Sequence, residues 1–491
     1  MDVIRRIMGG FISGSSGGTI EAIDTDNYLT IYALEDGLTA SLSDNACEYC
    51  IDGDGNWLSL SAGATTQSVN TGHTLSFRGD LTSISDDLYG IGTFTISKKC
   101  NLEGNCMSML FGDDASDNYS LSGKDYAFYY LFYNCVNIVS VGENFLPATT
   151  LASSCYSNMF KGCTKLTTAP ALPATTLANN CYSYMFNVCN SLTTPPSLPA
   201  TTLESGCYTG MFGNCTSLTT APVLPATTLA DSCYYYMFGN CTSLTTSPEL
   251  PATTLVYQCY GSMFNGCTSL TTAPELPATT LANICYGYMF YGCTSLTIAP
   301  ALPATTLVYQ CYNNMFQNCT SLITAPLLPA TTLANYCYHS MFKGCSKLNY
   351  IKMLATDISA ANCLYNWVYN VASTGTFVKN PSMTSLPTGT SGIPSGWTVE
   401  DSLFPITLVV GDNGQKGIDL LTYVKENGES IDGGSGVILG ITITFEEGQV
   451  FVGEDMIEYA VYNVNYNNMS LSGTTNYILL SDGSIIYTDD L

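Results

Sequence analysis

The residues with the most obvious chemistry are 22 cysteines, set against only two histidines. Sixteen of the cysteines stand in pairs at fixed positions, from Cys155 and Cys163 to Cys337 and Cys345. On a helix, residues eight apart lie about 12 Å from each other along the axis. That is too far for a disulfide or a shared zinc ion. The first members of the pairs, Cys155, Cys181, Cys207, Cys233, Cys259, Cys285, Cys311 and Cys337, read as a structural ladder of small buried hydrophobes. Disulfides between equivalent segments stay open as an alternative. Cys47-x-x-Cys50 has the spacing of half a zinc site, but Cys100 and Cys106 are too widely spaced to supply the other half. Asp52-Gly-Asp-Gly-Asn56 opens like a calcium loop, yet Trp57 and Gly63 occupy the positions that need Gly and Glu. A hairpin turn explains it, with weak Ca²⁺ binding on the acidic flanks left open. Arg78-Gly79-Asp80 matches an integrin-binding tripeptide and is equally well a turn. His73 and His339 are isolated, and no Ser/His/Asp, Cys/His or paired-carboxylate set stands out. The expectation is a protein that is not an enzyme and needs no metal or cofactor.

Charge narrows the partners. The net charge of −25 sits on the flanks: residues 1–145 hold 19 acids against 6 bases, and residues 351–491 hold 16 against 4. Residues 146–350 hold four of each. An acidic chain without a basic stripe is a poor ligand for nucleic acid or for anionic membrane surfaces. No apolar run is long enough for a transmembrane helix, so no membrane insertion is expected.

The paired cysteines belong to a larger unit. Leu-Pro-Ala-Thr-Thr-Leu begins at Leu146, Leu172, Leu198, Leu224, Leu250, Leu276, Leu302 and Leu328, a spacing of 26 residues that never slips. A fixed period in this range marks a solenoid, whose units bury their apolar faces only against their neighbours. Within one unit, Cys155, Tyr156, Met159, Phe160 and Cys163 fall within one arc of a helical wheel. This predicts a short helix with Thr150 as its N-cap, ending near Gly162. A short strand with Leu166 inward follows, and Pro170 and Pro173 turn the chain. The tyrosine beside each first cysteine is expected at the edge of the apolar arc, its hydroxyl in water.

These elements fit a multi-domain fold, a central α/β leucine-rich-repeat solenoid flanked by small all-β domains. Residues 1–19 read as an N-terminal anchor with a Gly/Ser hinge at Ser13–Gly18, and not as a secretory signal. Residues 20–104 alternate like strands and read as a β-sandwich-like domain. Residues 105–145 hold degenerate repeats that cap the array, 146–350 hold the eight regular repeats, and 351–399 form a second cap and linker. Residues 400–491 are β-patterned again, as a second all-β domain.

The pattern Cys163-x-x-Leu-x-x-Ala-Pro-x-Leu-Pro173, with Met-Phe-x-x-Cys, resembles the BspA-like leucine-rich repeats. Those run C-x-x-L-x-x-I-x-(I/L)-P with a later Ala-Phe-x-x-Cys. This chain departs in using Ala at the second inward position and in a longer segment read as helical. The variant with LPATTL and Cys-Tyr-x-x-Met-Phe is similar to one in proteins of gut Bacteroides-type bacteria and their phages. The similarity extends from Tyr28, through Gly90-Ile-Gly-Thr-Phe-Thr, to Gly392-Ile-Pro-Ser-Gly-Trp-Thr-Val. It implies surface recognition without catalysis and, on phage chains, a fibre-like or decorating virion protein.

Such a protein would attach to a capsid or tail protein through its N-terminal segment, act on the virion surface, and bind a host cell-surface glycan or protein. A fibre would be a homo-trimer. The alternative is a bacterial cell-surface adhesin of the same family. Specificity is expected where the repeats differ. The residues before each first cysteine vary, as do the pairs Ser157-Asn158, Tyr235-Tyr236, Asn313-Asn314 and His339-Ser340, which the helical offsets place in solvent. Tyr184, Tyr235, Tyr236, Tyr257, Tyr288, Tyr309 and Tyr336 are the candidate ligand-binding residues, a composition suited to adaptable recognition.

Overall fold

The computed structural model describes residues 21–80 and 91–402, together with the strands at 406–409, 445–452, 458–464, 470–471, 477–480 and 485–487. The anchor and hinge expected at residues 1–19 lie outside them. The repeat region occupies the middle of the chain. Among the described residues, strands far outnumber helices and no barrel closes.

The helix predicted in each repeat is absent. Every fourth residue of that segment has a positive φ: Ser154, Asn158 and Gly162 in the first repeat, Gly206, Gly210 and Asn214 in the third, and Tyr336, Ser340 and Gly344 in the last. A left-handed residue at each fourth position ends any helix. The backbone instead runs as overlapping four-residue turns. Cys155, Ser157, Met159, Lys161 and Cys163 each donate their N–H to the carbonyl three residues back. The residues between them donate onward. Ser154, Tyr156, Asn158, Phe160 and Gly162 bond to the carbonyls of Asn179, Cys181, Ser183, Met185 and Asn187 in the next repeat, at 2.8–3.0 Å. The same five-bond seam joins every successive coil, from Tyr126–Asn134 to Tyr336–Gly344. Backbone polar groups of a buried segment must find partners. Here they do so alternately within a turn and across to a neighbour. The apolar offsets 0, 1, 4, 5 and 8 are thus a period of four, not of 3.6.

The core follows from the stacking. Cys, Tyr, Met, Phe, Cys and Leu of each unit are buried along the whole array. Phenylalanines 160 to 342 form one file of near-parallel rings and tyrosines 156 to 338 another. In the second file Tyr182 and Tyr208 lie 6.0 Å apart at 4°, and in the first Phe290 and Phe316 lie 5.6 Å apart at 6°. Burying each ring is worth roughly 1.5–3 kcal/mol. The tyrosine hydroxyls are therefore not in water, as the arc had suggested. Those of Tyr260 and Tyr312 are buried without a hydrogen-bond partner. Thr150 caps no helix; it bridges Ser120 on one side and Thr176 on the other. Leu166 is buried as expected, and the strand after it is reduced to single bridges such as Ser140 to Thr168 and Thr324 to Tyr350.

Both ends of the array are covered. On the N-terminal side a sheet has strand order β4-β3-β5-β1-β7-β8. Its strands are β1 (Leu29–Ala33), β3 (Cys47–Ile51), β4 (Leu58–Leu60), β5 (Thr74–Arg78), β7 (Cys100–Gly104) and β8 (Ile138–Val141). Two further strands, β2 (Ala40–Leu42) and β6 (Phe94–Ile96), pair with each other. Val141, at the end of β8, donates its N–H to Thr168, so sheet and array share a strand. Phe94 stacks on Phe132 at 5.4 Å, which carries the Phe file into this region. The only α-helix among the described residues is the single turn α1 (Ser108–Phe111).

At the other end β9 (Tyr350–Met353), β10 (Thr376–Lys379) and β11 (Thr398–Asp401) form a parallel sheet. Trp367 closes the core: it is fully buried, 6.1 Å from Phe342, and its Nε1 donates to Gly392 at 2.8 Å. Beyond it, β12 (Ile406–Val409) pairs with β15 (Ser470–Leu471) and β16 (Tyr477–Leu480), β16 pairs with β17 (Ile485–Tyr487), and β13 (Phe445–Val452) pairs with β14 (Glu458–Val464).

Candidate recognition surface

All 22 cysteines are buried thiols. The second cysteine of each repeat has a directed role. Cys189 donates its S–H to the Phe160 carbonyl at 3.2 Å and Cys241 to Phe212 at 3.1 Å, and the pattern continues to Cys345 and Phe316. Burial raises these thiols far above the usual range; Cys215 and Cys345 are pushed up to about 12. A thiol that stays protonated is neither a nucleophile nor a metal ligand. Among the described residues, no group of three or more His, Cys, Asp or Glu side chains converges to hold a metal.

The motifs on the N-terminal sheet are tied into structure. Arg78 is pinned between Glu48 at 2.8 Å and Asp113 at 2.7 Å, and lies 4.2 Å from the centre of the Trp57 ring. Tyr28 also donates to Asp113 at 2.8 Å. These bonds hold Asp113 below the ordinary carboxylate range although its partial burial opposes them. Arg78-Gly79-Asp80 therefore does not present a free guanidinium. Asp52–Asn56 forms the β3–β4 connection, with Asp52, Gly53 and Gly55 at positive φ. His73 is not isolated, because its Nδ1 lies 2.6 Å from Asp52.

The variable residues of the turn segments divide into two groups. Ser157, Asn158, Asn313, Asn314 and Ser340, expected in solvent, are buried between coils. The helical wheel misplaced them, since a four-residue turn carries its side chains in other directions. The tyrosines behave differently. Tyr184 lies over Gly210 of the next coil, where a Cβ would stand 2.3 Å from its ring, and Lys161 Nζ is 5.1 Å from the ring centre. Tyr235 covers Gly261 in the same way, and Tyr236 lies against Gly239 and receives a hydrogen bond from Asn240 at 2.6 Å. Each of these rings uses room that a neighbouring glycine leaves, so all three are half-buried.

Tyr257, Tyr288 and Tyr309 are exposed. Tyr309 meets Tyr336 edge-on at 5.8 Å, and Tyr288 meets Tyr291 at 6.0 Å. The structure adds Tyr365 and Tyr369, which the reading by repeats had passed over, and brings Tyr365 together with His339 of the variable pair His339-Ser340. Tyr336 lies 5.6 Å from His339, and His339 stacks on Tyr365 at 5.2 Å. Tyr365 and Tyr369 sit in the closing coil, where Cys363 and Trp367 hold the register of a regular repeat. Placing that coil in column with the others would have found them.

Stacked coils with a 26-residue spacing and one continuous core define a leucine-rich-repeat protein. Residues 126–245 and 231–370 match the BspA type leucine rich repeat region, in six copies, and the chain belongs to this family. The family is generally one of non-catalytic binding and adhesion proteins. No curated protein and no solved structure matches the chain.

Proposed function

We propose that the chain is a non-enzymatic recognition protein of a phage particle, either a fibre or a capsid decoration. In this reading the repeats are a solenoid between two β domains, displayed for contact with a host-surface glycan or protein. The N-terminal segment attaches to a capsid or tail protein, and a fibre would be a homo-trimer. A surface-binding role follows from the family. The observation that favours a virion is the 22 unpaired thiols. A chain so rich in thiols suits folding in a reducing cytoplasm, where phage particles assemble, better than passage through an oxidising compartment. The second reading, a bacterial cell-surface adhesin, rests on the family alone. Mass spectrometry of purified particles and of host envelope fractions separates them. Peptides from this chain in the particle, with Met1 intact, support the virion protein. Recovery only from the envelope overturns it.

A further inference from the structure

Two exposed tyrosines, Tyr309 and Tyr365, are joined by two half-buried rings, Tyr336 and His339. Tyr309, Tyr336, His339 and Tyr365 form one ribbon across three coils, with ring centres 5.8, 5.6 and 5.2 Å apart in sequence. Tyr184, Tyr235 and Tyr236 fill glycine gaps, but Tyr309 keeps 44% and Tyr365 50% of its surface open. These two tyrosines stand out of the core, each packed on one half-buried ring and open on the rest of its surface. The ribbon also has directed polar groups: Asn362 Nδ2 donates to the Tyr336 hydroxyl at 2.9 Å, which leaves that hydroxyl to donate outward.

Charge decides the class of partner. No carboxylate belongs to the ribbon, so it carries no negative charge to select a cationic partner. Lys343 is the neighbouring cation, and its Nζ is already placed over the Tyr369 ring at 6.0 Å. Burial lowers the affinity of His339 for a proton, so its ring is neutral near pH 7. Flat apolar rings edged by hydroxyls and an amide, without net charge, match the C–H faces and hydroxyls of a sugar.

We propose that the Tyr309–Tyr336–His339–Tyr365 ribbon binds a neutral oligosaccharide, with sugar rings against the exposed Tyr309 and Tyr365 and the chain of sugars crossing the half-buried Tyr336 and His339 between them. This rests on the surface-recognition reading above and assigns it a place and a ligand class. A second tyrosine cluster supplies the control. Tyr126, Tyr129, Tyr130 and Tyr133 lie in one coil and meet edge to face at 89°, 62° and 73°, and Tyr133 is an exposed tyrosine outside the ribbon.

The test is calorimetric titration of the full chain with neutral hexasaccharides of β-1,4-linked glucose, mannose and N-acetylglucosamine. Binding of at least one is expected. Tyr309→Ala and Tyr365→Ala should each weaken it about three- to tenfold, as loss of one aromatic contact does. Tyr336→Phe should weaken it less, and Tyr133→Ala should leave it within twofold. Melting temperatures of all variants should match the parent. No binding of any hexasaccharide at millimolar concentration overturns the inference, as does equal weakening by Tyr133→Ala. Host-cell binding is measured on the same samples. Cell binding that persists without sugar binding, or that follows the ribbon but survives glycosidase treatment of the cells, refutes the sugar and leaves surface recognition standing. Absence of both from the parent chain refutes both.

Discussion

Val188 offers a quantitative test of the turn architecture. It occupies a left-handed position, with φ of 64°. A β-branched residue is strained there, by about 1–2 kcal/mol. The equivalent residues of the next two coils are Asn214 and Asn240, at 61° and 58°. Asparagine tolerates this region, and Asn240 Nδ2 donates to Asn214 Oδ1 at 3.0 Å. Val188→Asn should relieve the strain and extend the amide file by one bond, worth about 0.5–1.5 kcal/mol. Lost packing of the half-buried valine offsets about 1 kcal/mol. The expected net gain is about 1–2 kcal/mol, and the reverse change Asn214→Val should lose at least as much. Urea unfolding followed by circular dichroism gives both values through the shift in midpoint at constant slope. If Val188→Asn destabilises the protein, or Asn214→Val leaves it unchanged, the positive φ does not govern these columns and the reasoning fails.

Further outcomes follow from the thiols and the N-terminal sheet. Native protein at pH 8 should react with almost none of a thiol reagent and fully after denaturation; rapid labelling of the native state would contradict the burial. The thiols are raised in the folded state, so their contribution to stability is complete below the unfolded value near 8.5 and falls as pH rises toward about 12. Each thiol removes about 1.4 kcal/mol per pH unit across that window, so circular dichroism should show cooperative unfolding by about pH 10.5, and a fold intact at pH 12 would refute this. Cys241→Ser keeps a donor for the Phe212 carbonyl and should cost under about 1 kcal/mol, against about 2 kcal/mol for Cys241→Ala, both measured by urea titration. Gly104→Ala would place a Cβ 2.0 Å from the Tyr28 carbonyl at a φ of 75°, so it should destabilise by about 3 kcal/mol or more on thermal melting.

The repeat, its register and most of its core were legible because identity at a fixed spacing is unambiguous. Met159, Phe160, Cys163 and Leu166 are buried as their periodicity required. The conformation was misread for a physical reason. Over nine residues, a four-residue turn period and a 3.6-residue helix bury nearly the same set of apolar positions. The signal that separates them is polar: Ser154, Asn158 and Gly162, and their counterparts Gly206, Gly210 and Asn214, put residues tolerant of positive φ at every fourth place. Tyr184, Ile284 and Val188 in the same columns hid that rule. The ribbon was legible in part. Tyr309 and Tyr336 stood out as variable tyrosines, but their contact with each other, and with His339 and Tyr365, depends on how adjacent coils are offset, which no single repeat encodes.

The seams between coils have a direction. The Cys155 carbonyl receives the Phe128 N–H, and Tyr156, on the other side of the same peptide group, donates to Cys181. Cys181-Tyr182 and Cys207-Tyr208 repeat this, and so on to Cys363. Each column is a file of peptide groups lying head to tail along the stack, and there are five such columns at each junction. A peptide dipole is about 3.5 D. Added in file, these give the array the electrical polarity of a helix without a helix: carbonyl oxygens face the N-terminal end and N–H groups the C-terminal end. The N-terminal end is met by donors, Ile91 and Phe94 bonding to Ala127 and Leu131, and the C-terminal end by acceptors, Thr390 and the Ser391 hydroxyl receiving Val368 and Asn366. The two caps are thus not interchangeable. Each closes one pole, and a coil copied or deleted from the middle leaves both poles matched.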